Sequence, residues 1–131
     1  MPERLTSDAI RALDGPALTR LAWELGLASP GYVLIQPGEY VGVDLPHYNV
    51  WRPHVTLAQA DAVFRSLREH GMTTSVVWFG DARHYGEAWV CIEGLRAVSV
   101  KWPTDVPTEA QALLLASVLA IVSEKGSPDV T

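Results

Sequence analysis

The sequence predicts a single α+β domain, an α/β/α sandwich with a mostly antiparallel five-stranded sheet and three main helices. Three capped segments carry apolar stripes at helical spacing, and five short β-rich segments fill the gaps between them. Two of the strand connections are short enough to make hairpins. The chain order is therefore helix, hairpin, helix, three-strand meander, helix.

The first helix runs from Asp14 through DGPALTRLAWELG. Asp14 is its N-cap, Pro16 lies in the first turn, Leu18, Leu21, Ala22 and Leu25 share one face, and Gly26 ends it. A shorter helix over Ser7 to Leu13 precedes it. The second helix opens on a capping box, Thr56 with Gln59, and carries Leu57, Ala60, Val63, Phe64 and Leu67 in a stripe closed by Gly71. The third starts near Asp105, with Pro107 in its first turn, and runs to Gly126. It is apolar almost all round from Leu113 to Val122, which calls for burial on most sides, within the fold or against another chain.

The strands are expected at Tyr32 to Gln36, Tyr40 to Asp44, Ser75 to Phe79, Ala88 to Glu93 and Ala97 to Trp102. Pro37, Gly38 and Glu39 turn the first pair, and Gly94, Leu95 and Arg96 the last. In YVLIQ, SVVWF and AWVCI both faces are apolar, which places them centrally with helices above and below. YVGVD and AVSVKW are one-sided and suit edges. The expected strand order is second, first, third, fourth, fifth.

Length and composition agree with one domain over residues 1–126 and a flexible tail over 127–131. With 48% hydrophobic and 19% charged residues, the 131-residue chain has the composition of a globular protein. A net charge of -5 argues against nucleic acid or an anionic membrane and favours a basic protein partner. Cys91 stands alone, so no internal disulfide is available, and its place between Val90 and Ile92 suggests a buried, inert thiol. The amino-terminal MPERLTSDAI lacks the basic and apolar blocks of a signal peptide, and no apolar run is long enough to span a bilayer, so a cytoplasmic location is expected.

Two loops hold the candidate site residues. LPHYNVWRPH sets His47, Tyr48, Trp51, Arg52 and His54 between Pro46 and Pro53. The two histidines, joined by Asp44, form a combination able to bind a metal, but no HExxH or CxxC spacing accompanies them, and no metal site is expected. GDARHYGE offers Asp81, Arg83, His84 and Glu87, of which Asp81, His84 and Glu87 suit acid and base roles. There is no phosphate loop, no GxSxG elbow and no helical carboxylate pair, so neither a cofactor nor a catalytic residue is assigned. Five Trp stand out in so short a chain. Trp78 and Trp89 are expected to fill the core, and Tyr48 and Trp51 to fold back over its end, with partner contact at Trp23, Tyr48 and Trp51 as the alternative.

The stretch PHVTLAQADAVFRSLREHG, Pro53 through Gly71, resembles one found in the phage ABA sandwich domain family, in its Thr56 cap, Ala60, Val63, Phe64 and Leu67. The ending VPTEAQALLLASVLA is similar to that family's last helix and ALTRLAWELGL to its first. Leu27 stands where an aromatic is usual, His54 and Val55 replace an aromatic lead, and the last helix lacks a Cys. The resemblance implies a helix, sheet, helix sandwich of phage or prophage setting, without an established catalytic residue.

Three functions are compatible with these features. The first is a non-enzymatic accessory protein acting through a protein partner or self-association. The second is an acidic immunity or inhibitor protein that masks a basic toxin or nuclease. The third is a small hydrolase or metal-dependent enzyme using Asp81, His84, His47 and His54, which requires those side chains to converge in one pocket.

Overall fold

The computed structural model describes residues 6–28, 32–36, 39–42, 51–79, 85–92 and 96–124. The architecture is α+β. A short helix α1 (Ser7–Arg11) leads into α2 (Gly15–Glu24), and a hairpin of β1 (Tyr32–Gln36) and β2 (Glu39–Gly42) follows. Then come α3 (Leu57–Ser66), a 3-10 turn over Leu67–His70, the meander β3 (Thr73–Phe79), β4 (Tyr85–Ile92) and β5 (Arg96–Trp102), and α4 (Glu109–Glu124).

Helix ends form where the chain supplies oxygens for the orphan amides of the first turn. Thr6 Oγ1 accepts from the Ala9 amide at 3.0 Å, and Asp14 Oδ1 from the Ala17 amide at 2.9 Å. Gly26 and Gly71 end their segments at φ +77° and +80°, a conformation that costs glycine little. The expected capping box at α3 does not form. Thr56 makes no side-chain cap bond, and the Gln59 carboxamide oxygen instead accepts from the Arg52 amide one loop earlier. At α4 the N-cap role falls to Thr108, whose Oγ1 accepts from the Gln111 amide at 3.2 Å. Asp105, expected near the helix start, accepts from the Lys101 amide at 2.9 Å and closes the turn after β5.

α4 is the hub. Residues 112–120 are all buried, and α4 packs against α1, α2, α3, β4 and β5. Leu113, Leu114, Leu115, Leu119 and Ile121 are each at most 2% exposed, and burial of such a side chain is worth about 1.5–3 kcal/mol. Ser117 is fully buried and donates to the Leu113 carbonyl at 2.7 Å, so its hydroxyl leaves no unmet polar group in the centre. The hydrophobic encirclement read from the sequence is thus met inside one chain by Ile10, Leu18, Ala22, Ala60, Val63 and Phe64 together with the sheet.

The sheet departs from expectation. The strands form two separately hydrogen-bonded sheets, β1 with β2 and β3-β4-β5, rather than five strands in one, and both are antiparallel. In the described residues β3 is an edge strand, not a central one. Ala88, Val90, Val98, Val100 and Trp102 point inward and are buried. On the opposite face Val77, Phe79, Tyr85 and Trp89 are 39–49% exposed, so the meander is covered on one side. Two-sided hydrophobicity in SVVWF and AWVCI therefore does not mean two covered faces here. The physical reason is the demand of α4: its apolar circumference draws α1, α2 and α3 to the same side of the sheet. Carboxyl-terminal residues 125–131, the expected tail among them, lie outside the described residues, as do both hairpin turns apart from Glu39 and Arg96.

Gly86 sits opposite Trp78 in the register and beneath the Trp102 ring. A Cβ there would fall on the Val77 carbonyl oxygen and lie 2.5 Å from Trp102 Cζ2. Close approach of backbone and indole requires glycine at this point. Gly86→Ala should therefore lower stability by about 3 kcal/mol in urea titration, because the buried Trp102 ring has nowhere to move. A change smaller than about 0.5 kcal/mol would show that this contact is not tight.

Candidate functional site

Of the candidate residues, Trp51, Arg52 and His54 are described; His47, Tyr48, Asp81, Arg83 and His84 lie outside the described residues, as does Asp44. The described part of LPHYNVWRPH is a structural clamp. Trp51 is 2% exposed and its ring meets Trp23 at 6.0 Å with a 59° tilt. This is the packing expected of a Trp51 that folds back over the end of the core: its surface is spent inside the chain, against α2. Pro53 is buried beside it, and a tight turn follows in which the Val55 and Thr56 amides donate to the Arg52 carbonyl. Arg52 itself is exposed.

His54 packs onto α2. Its Nδ1 lies 2.7 Å from Thr19 Oγ1, and its ring presses on Gly15, where an added Cβ would come within 2.8 Å of His54 Cδ2. Burial disfavours the charged imidazolium and holds the His54 pKa below its usual 6.5; the Arg52 guanidinium pushes the same way, and Asp14 opposes both. A neutral ring bonded to a threonine on a packed helix joins loop to helix.

Of the acid and base candidates in the second loop only Glu87 is described. Its carboxylate lies on the outer face of β4 and accepts from the Ser99 hydroxyl on β5. The hydrogen bond from Ser99 holds its pKa below the ordinary range, with a second from Trp89 and the charge of Lys101 acting alike against a small burial effect. A carboxylate stabilised as the anion is a weak general base and does not serve as a proton donor near neutrality. Among the described residues no group of three or more His, Cys, Asp or Glu is gathered so as to hold a metal ion, and no helix is long and apolar enough to cross a membrane.

The surface the sequence did not disclose is the outer face of the meander. Alternation along β3 and β4 puts Ser75, Val77 and Phe79 beside Tyr85, Glu87, Trp89 and Cys91. Phe79 and Tyr85 are cross-strand partners with ring centroids 6.1 Å apart and a 29° interplanar angle. Trp89 is 39% and Trp78 43% exposed, so these two indoles do not fill the core as expected; Trp51 and Trp102 do. Cys91 likewise is half-buried on this face instead of interior. The signal was present in the order of residues, since Val77, Phe79, Tyr85 and Trp89 share one parity in the register, but parity alone does not say which face a helix covers.

The imidazole gives a test of this description. Because the folded His54 binds its proton less readily than the unfolded chain, its contribution to stability is present above pH 6.5 and is lost as pH falls through the lowered folded value. Wild-type urea midpoints should fall more between pH 7.5 and pH 5 than those of His54→Gln, which removes the titration. Equal declines in the two proteins would mean that the ring is as free to protonate when folded as when unfolded.

No family model, curated protein or solved structure matches this chain.

Proposed function

We propose that this chain is a non-catalytic accessory domain, of phage or prophage kind, that acts by binding another protein through the outer face of its meander. The observation that carries this reading is the half-exposed cluster Val77, Phe79, Tyr85 and Trp89 on one face of a rigid antiparallel sheet. Surface of this sort, rich in aromatic rings, is the composition of interface centres; Glu87 lies within it, between Tyr85 and Trp89 and opposite Val77, with Lys101 beside it on β5. The partner would provide the second covering layer that a three-layer sandwich has, and a basic rim on it would suit the chain's charge of -5. The similarity of the helices to the phage ABA sandwich family supports the setting. The observed neighbours of His54 and Glu87 favour binding over chemistry.

A photoreactive phenylalanine analogue at position 77 reads this surface directly. In cells that naturally express the protein, it should give a discrete covalent adduct of one mass, and the same analogue at Arg20, 64% exposed on α2, should not. Adding Trp89→Ser to the position-77 chain should weaken the complex roughly thirtyfold, as loss of an aromatic anchor costs about 2 kcal/mol. Adducts of equal yield at both positions, or no adduct at 77, would contradict the proposal.

A further inference from the structure

The outer face of the meander carries a charge at its middle. On β4, Glu87 lies between Tyr85 and Trp89, two residues from each, and all three side chains leave the sheet on the same side. Alternate residues of a strand are about 7 Å apart, so an aromatic side chain stands on each side of the carboxylate. Across the strands its neighbours are Val77 on β3 and Lys101 on β5. The carboxylate is held chiefly by neutral donors, the Ser99 hydroxyl and Trp89, and the charge of Lys101 acts on it more weakly than either. An ionised carboxyl offers roughly four acceptor positions, so these two donors do not exhaust it.

A protein that covers this face takes Glu87, which is partly exposed in the single chain, out of water. Enclosing an anion beneath apolar atoms is costly unless an opposite charge comes with them, and two neutral hydrogen bonds do not replace that charge. The partner must therefore bring a cation to the middle of the contact. We propose that this cation is an arginine side chain of the partner protein, its guanidinium bonded to the Glu87 carboxylate and stacked on the Trp89 indole. Arginine suits the place better than lysine, because its planar fork bonds a carboxylate at two points, sheds water more readily and lies flat on a ring. A guanidinium bonded to Glu87 comes within the roughly 6 Å at which an indole attracts a cation. The chain's charge of -5 draws such a partner from a distance. Recognition of this kind rests on the outer face being the contact surface, as proposed above, and fixes the chemistry at its centre.

The probes are three blocked five-residue peptides with valine at both ends, threonine at the second and fourth places, and arginine, lysine or glutamine at the centre. With the full chain, the arginine peptide should bind at least about tenfold tighter than the glutamine peptide, the size of one charge-assisted hydrogen bond, with lysine between them. It should shift the Trp89 indole resonance and the amides from Tyr85 to Trp89. Glu87→Gln, which keeps an oxygen for the Ser99 hydroxyl, should erase the preference and leave the thermal midpoint in place. Glu69→Gln, which removes an equal charge from the exposed 3-10 turn after α3, should preserve it. Equal binding of the arginine peptide and either of the others, a preference that survives Glu87→Gln, no binding at 10 mM, or resonance changes away from β4 would overturn the proposal. A discrete adduct at position 77 with no arginine preference would sink this inference alone, and the absence of that adduct would sink it together with the outer-face reading.

Discussion

Everything in this fold follows from having to surround α4. A helix whose residues 112–120 are all buried has no polar stripe to give to water, and it is stable only where apolar surface meets it on every side. β4 and β5 cover one flank with Ala88, Val90, Val98 and Val100; α1, α2 and α3 take the remainder. That allocation uses up the helices. Among the described residues no helix is left for the other side of the meander, and the half-exposed rings of Phe79, Tyr85 and Trp89 are the result.

Local chemistry was legible residue by residue. Asp14, Gly26 and Gly71 mark helix ends by hydrogen bonding and by permitted dihedrals, which depend on few neighbours. Strand positions and both hairpin pairings follow from period-2 patterning and short connections. Layering did not follow, because it depends on how many surfaces compete for the same helices. SVVWF and AWVCI read as doubly covered only if helices are plentiful, and α4 makes them scarce. Gln59 shows the same on a smaller scale: spacing nominates it for the capping box, yet the Arg52 amide across the loop is the partner it takes.

Candidate site residues were nominated by composition, which cannot distinguish a polar side chain that waits for a ligand from one that ties two elements together. Trp51 and His54 are of the second kind, bound to Trp23 and to Thr19 on α2. Glu87 is held as an anion between Ser99 and Lys101. What the described residues leave half-exposed is an aromatic sheet face. It is a consequence of a three-stranded meander that the described helices pack on one side only.

The central claim is that α4 is the last element to lose protection, because the helices and the meander all lean on it. Native-state hydrogen exchange measures this directly, with the backbone amides of the helix interior, from Leu113 to Ile121, as the readout. Those amides should exchange only through global unfolding, with free energies equal to that from urea titration, while α1 opens at lower cost. Exchange of the α4 interior at the rate of α1, with the sheet still protected, would contradict the account.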